Sequence, residues 1–222
     1  MENITFKIKN IPAVVYGKKS EKVCIFIHGQ GGNKEEAEFL SKIICEKEWQ
    51  ILSIDLHSSF LPWNVVPELK EVIKYVEENW KEKILYANSI GAWFSLLSFT
   101  ETDFKKCFFV SPVLNMENLI KKMMLWAGVT EERLEKEKLI PTSFGQTLSW
   151  EYLIYAKENK TDYWKSPVYI LYAENDNLIE YETIKEFSEK FTSDITIMKN
   201  GEHWFHTSEQ LNFLTNWLKQ IL

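Results

Sequence analysis

Residues 83–93 read Lys-Ile-Leu-Tyr-Ala-Asn-Ser-Ile-Gly-Ala-Trp, and no other stretch limits the available folds so strongly. The first five residues have the composition of a short buried strand, while Ile90 to about Phe99 has that of a helix. Only Asn88 and Ser89 separate the two. At so abrupt a strand-to-helix turn the serine is pushed out of the backbone envelope, and its hydroxyl stands at the helix N-terminus. The residues two before and two after it must be small, since larger side chains would collide, and Ala87 and Gly91 meet that condition. A serine that merely caps an ordinary helix would fit the same five residues. What stands at the other strand ends therefore has to decide.

Taken in order, the chain alternates between apolar runs and helical periodicities. Residues 4–8 and 12–16 look like an opening antiparallel pair. Val23-Cys24-Ile25-Phe26-Ile27 is a continuous apolar run, as expected of a strand buried on both faces of a parallel sheet. It runs into His28-Gly29-Gln30-Gly31-Gly32. A helix follows, with Ala37, Leu40, Ile43 and Ile44 on one face, and then a strand at 51–54. Pro67 is expected to open the next helix, which carries Leu69, Val72, Ile73 and Val76 inward. Further strands are expected at 107–110, 168–172 and 195–198, and further helices at 181–191 and 208–222. Between about 113 and 165 the pattern shows helices and no convincing strand. The expectation is one α/β domain over 1–222, with a mainly parallel sheet flanked by helices. The stretch at about 113–165 reads as a helical cap inserted over the carboxyl edge of the sheet, where ligands bind in such folds.

Composition removes several function classes. Lys and Arg number 26 against 32 Asp and Glu, a net charge of −6, and no dense basic run is present. That is not the footprint of a nucleic-acid binder. Cys24, Cys45 and Cys107 are odd in number and form no C-x-x-C pair, so they read as free thiols and not as a zinc site. Neither a signal peptide at residues 1–10 nor a run of the length of a membrane span is expected, which suits a cytoplasmic protein.

A serine hydroxyl is a poor nucleophile near neutral pH and needs a base, with a third group to orient that base. Of His28, His57, His203 and His206, the expected base is His203, in the loop Lys199-Asn200-Gly201-Glu202-His203-Trp204 before the last helix. His206, near the helix start, is expected to contact backbone. Asp176, at the tip of Glu174-Asn175-Asp176-Asn177 after a late strand, is the expected acid, with Glu174 as the fallback. An Asx-turn or helix cap is the competing use of Asp176. Backbone N–H groups have to hold a developing oxyanion. Ile90, directly after the serine, and Gln30 in the glycine-rich loop are the candidates, with Gly31 as alternative to Gln30. The glycine-rich loop lacks the spacing of a nucleotide-phosphate cradle.

The four segments HGQGG, ANSIG, AENDNL and GEHWF, with their chain order Ser, Asp, His, resemble those of the α/β-hydrolases. The resemblance spans nearly all of the chain except the insertion. It departs from the family pattern at Ala87, where a glycine is usual, and in having no glycine-rich turn after Asp55. It implies a serine hydrolase with Ser89, Asp176 and His203 as its triad, no cofactor and no metal. The implied substrate is a small-molecule carboxylic ester or thioester, cleaved through an acyl-enzyme. A non-catalytic binding protein on the same scaffold, and an enzyme using the triad on carbon–carbon bonds or non-water acceptors, remain alternatives. Trp93, Trp126 and Trp204 are the candidates for an apolar substrate pocket, with core packing as the competing use of each aromatic.

Overall fold

The computed structural model describes residues 2–222. In chain order the elements are β1 (Asn3–Ile8), β2 (Ile11–Tyr16), β3 (Lys22–Ile27), α1 (Ala37–Ile44), β4 (Gln50–Ile54), α2 (Pro62–Asn79), β5 (Glu82–Asn88), α3 (Ile90–Ser98) and β6 (Cys107–Val110). Then come α4 (Met116–Ala127), α5 (Glu131–Glu137), β7 (Leu139–Pro141), β8 (Thr147–Ser149) and α6 (Trp150–Glu158). The chain closes with β9 (Val168–Ala173), α7 (Tyr181–Lys190), β10 (Ser193–Met198) and α8 (Ser208–Ile221).

Eight strands form one sheet in the order β1-β2-β4-β3-β5-β6-β9-β10. The first two contacts, β1 with β2 and β2 with β4, are antiparallel. All pairings from β4 to β10 are parallel. The apolar runs are continuous because these strands are covered on both faces. Alternate residues of β3 and β5 go to opposite sides. Ile25, Ile27, Leu85 and Ala87 join α2, α3, α7 and the insertion in one core. Cys24, Phe26, Ile84 and Tyr86 join α1 and α8 in the other. Each Ile, Leu or Phe fully buried in this way contributes about 1.5–3 kcal/mol relative to exposure. The central strands are thus fixed from both faces, and so are the loops at their carboxyl ends.

Two expectations need correction. The second helix starts at Pro62, not at Pro67, which lies inside it. Pro62 occupies the first turn, where a missing N–H costs nothing. Pro67 forfeits only one bond near the helix start, and burial of Val65, Val66, Leu69 and Val72 holds the helix through it. The insertion is also not wholly helical, because β7 and β8 form an antiparallel hairpin. Its strands have three residues each, too few to show alternation in the sequence.

Candidate active site

Ser89 sits at the junction of β5 and α3 with φ 49° and ψ −122°. A side chain seldom adopts a positive φ, so neighbouring structure has to impose it. Three backbone hydrogen bonds do so. Ser89 N–H donates to Val110 O (3.0 Å), and Ser89 O accepts from Ala92 N–H (3.1 Å) and Val113 N–H (3.0 Å). Small neighbours are obligatory at this turn. A Cβ on Gly91 would lie 2.6 Å from His28 O and 2.8 Å from Ile27 O, because α3 is pressed onto the end of β3. A Cβ on Gly29 would meet Ser89 Cβ at 3.3 Å. Ala87 is fully buried at the end of β5, so one methyl group is accommodated there.

The structure brings His203 within hydrogen-bond reach of both Ser89 and Asp176. Ser89 Oγ lies 2.9 Å from His203 Nε2, and His203 Nδ1 lies 2.7 Å from Asp176 Oδ2. A carboxylate only accepts, so Nδ1 carries the proton and Nε2 is left as the acceptor facing the serine hydroxyl. The loops that carry the acid and the histidine are joined to each other beyond the sheet. Glu174 N–H donates to Met198 O (3.0 Å) and Asn175 N–H to Gly201 O (2.9 Å), continuing the β9–β10 pairing. The Asp176 side chain is fully buried, and its Oδ1 accepts from Leu178 N–H (2.9 Å) and Ile179 N–H (2.8 Å). The Asx-turn envisaged as a competing use therefore occupies one oxygen, while the other faces the histidine. Glu174 does not reach His203; it accepts from Asn200 N–H at 2.8 Å. His206 contacts backbone, with Nδ1 2.7 Å from Trp204 O.

The loop after β3 is organised by His28, which is 1% exposed. Its Nδ1–H donates to Gly29 O (2.7 Å), and its Nε2 accepts from Leu56 N–H (3.0 Å). The acceptor role of Nε2 requires a neutral ring, and burial holds its pKa below the ordinary imidazole value. Gly32 N–H donates to the same Gly29 carbonyl at 3.1 Å. In a trans peptide the N–H of the next residue points opposite to that carbonyl, so pinning Gly29 O also fixes the direction of Gln30 N–H. Ile90 N–H opens α3 and has no partner within the helix. Asp55 anchors the far side of the loop, accepting from Lys34 N–H (2.8 Å) and Lys34 Nζ (2.9 Å).

Among solved structures, Est1E of Butyrivibrio proteoclasticus is 18% identical over 98% of this chain and 96% of its own, with a TM-score of 0.78. Mouse alpha/beta hydrolase domain-containing protein 10 is 12% identical over 100% of this chain and 98% of its own, at 0.79. An esterase of Pyrococcus furiosus is 14% identical over 99% and 89%, at 0.70. No family profile and no curated protein sequence matches the chain. The chain has the α/β-hydrolase fold.

Within that α/β-hydrolase fold, the insertion between β6 and β9 is docked by aromatic side chains. Tyr152 of α6 donates its hydroxyl to Phe60 O (3.2 Å), and its ring packs against Trp63 and Trp93. Burial pushes the Tyr152 phenol pKa up, so it remains a donor. At the hairpin tip, Gln30 Nε2 donates to Gln146 Oε1 at 3.2 Å. The three tryptophans expected around a substrate have three different surroundings. Trp93 is buried, one turn along α3 from Ser89. Trp126 is on the surface, edge-on to Phe144 with Lys122 above its ring. Trp204 is 73% exposed and stacks on His206. The end of a helix and a loop tip leave an aromatic uncovered as readily as a core buries one. No cluster of metal-ligating side chains and no membrane-spanning helix occurs among the described residues.

His28 and Tyr152 were not assigned roles from the sequence. A histidine closing an apolar strand before glycines was a signal for the first. Nothing in the local sequence marked the second.

Proposed function

We propose that the chain is a serine hydrolase that cleaves carboxylic esters or thioesters of small molecules through an acyl-enzyme. The observation that carries this reading is the unbroken hydrogen-bond line from Ser89 Oγ through the His203 ring to the buried Asp176 carboxylate. In the proposed reaction His203 Nε2 takes the Ser89 proton as Oγ attacks the carbonyl carbon. Asp176 stabilises the imidazolium that forms. The N–H groups of Gln30 and Ile90 hold the oxyanion, each worth about 3 kcal/mol in sites of this kind. His203 then protonates the leaving alcohol or thiol, and water repeats the sequence on the acyl-enzyme. In this reading the insertion at 113–165 is the cap that bounds the acyl side. The esterase of Pyrococcus furiosus among the structural neighbours agrees with it.

The test is hydrolysis of p-nitrophenyl acetate and of an acetyl thioester by the wild type and by Ser89→Ala. Turnover by the wild type and a loss of at least about 10³-fold in the variant are expected. A variant as active as the wild type would rule the mechanism out.

A further inference from the structure

A cavity of about 190 Å³ lies at the base of the insertion, between the start of α4, the end of α6 and α7. None of Ser89, Asp176 and His203 lines it. Both connections of the insertion do: residues 114–116, where the chain leaves the sheet domain, and 159–162, where it returns. The apolar part of the wall is formed by Leu114, Met116 and Ala156 together with three aromatic residues, Trp93 of α3 and Phe187 and Phe191 at the end of α7.

The polar part has a bias. Its two ammonium groups are already committed. Lys160 Nζ is 2.9 Å from Glu117 Oε2. Lys190 Nζ is 3.0 Å from Asp162 Oδ1 and donates to Thr161 O. Glu186 lines the same wall and makes no ion pair among the described residues. Asn159 spends its amide N–H on Tyr155 O and keeps its side-chain carbonyl free. Thr161 Oγ1 is buried without a partner. What remains unspent is mainly acceptor capacity, one group of it negative, beside the rings of Trp93 and Phe187, while Phe191 already faces Lys190 Nζ at 5.3 Å.

We propose that this cavity binds a small organic ammonium ion with an apolar body about the size of one aromatic ring. The cavity has room for one ring with a short amine-bearing arm. The ring lies against Trp93, Phe187 and Phe191, and the ammonium faces Glu186 and the free carbonyl of Asn159. Because the ligand touches both connections of the insertion, binding favours the docked position of α4 and α6. It also contacts Trp93, one turn beyond Ser89. The site does not depend on the proposed hydrolysis, so the two ideas fail separately.

The experiment is calorimetric titration of the full chain at pH 7 with 2-phenylethylammonium, 2-phenylethanol and phenylacetate. One ammonium ion per chain is expected, bound about tenfold more tightly than the alcohol, with the carboxylate weakest. Ser89→Ala should bind it unchanged. Glu186→Gln, on an exposed helix face, should erase the advantage of the ammonium over the alcohol. Thr183→Trp, which fills the cavity from α7, should abolish binding while far-ultraviolet circular dichroism stays that of the wild type. Phenylacetate binding as tightly as the ammonium would overturn the proposal. So would the absence of saturable ammonium binding, or an affinity unmoved by both the Glu186 and the Thr183 variants.

Discussion

Gly91 and Gly145 lie in regions built on opposite principles. At Gly91, beside the serine, a Cβ would strike two backbone carbonyls within 2.8 Å. At Gly145, on the hairpin tip of the insertion, a Cβ would meet nothing within 4 Å, and glycine is needed only for its φ of 83°. The turn at Ser89 is thus fixed by the backbone of its neighbours, through contacts that no side chain can replace. The insertion is held by side chains: the Tyr152 hydroxyl on Phe60 O, rings packed on Trp63 and Trp93, and the Gln30–Gln146 contact. The first region has one solution for its geometry. The second is set by the packing of its side chains.

The largest effect should come from the acid. Asp176→Asn is expected to lower kcat about 10³- to 10⁴-fold while leaving the fold intact, because the wrong histidine tautomer then faces Ser89. Glu174→Gln should stay near the wild-type rate, since Glu174 serves the Asn200 turn. Steady-state kinetics on a p-nitrophenyl ester would separate the two, and equal losses would break the assignment. Gly91→Ala should cost about 3 kcal/mol in denaturant unfolding and displace Ser89, lowering activity as well. Gly145→Ala should cost about 1 kcal/mol, from its backbone conformation alone, with activity retained. Similar costs at the two glycines would remove the contrast. Tyr152→Phe should lose about 1 kcal/mol, one hydrogen bond with the ring packing kept, and should loosen the insertion as read by hydrogen exchange in α6.

A pH series probes the loop after β3. Burial holds the pKa of His28 below its ordinary value of 6.5, so the unfolded chain binds the proton more readily. His28 therefore contributes its stability in full above pH 6.5 and loses it as the pH falls from there through the folded-state value. The Tm of the wild type should drop with acidification over that window more steeply than that of His28→Gln. Parallel curves would show that His28 does not couple to the loop.

The same contrast explains what could be read from the sequence. The serine turn, the succession of strands along the chain and the loops carrying Asp176 and His203 rest on local rules, such as apolar runs of strand length and small residues two positions either side of Ser89. Those rules leave marks within a few residues. The aromatic contacts of the insertion leave none, because Trp93, Trp126 and Trp204 are the same residue type in three environments. Pro67 misled for a related reason: tertiary burial of Val65 and Leu69 carries the helix past a residue that local preference would place at its start. The β7–β8 hairpin leaves no such mark, because three-residue strands cannot display a period.

The central claim is that Ser89 is nucleophilic because His203 and Asp176 make it so. Labelling with a fluorophosphonate, followed by mass-spectrometric mapping of the modified peptide, tests it most directly. The account predicts modification of Ser89 in the wild type, none in Ser89→Ala, and labelling of His203→Ala slowed by at least about 10³-fold. Modification of Ser89→Ala at the wild-type rate, or undiminished labelling of Ser89 in His203→Ala, would contradict it.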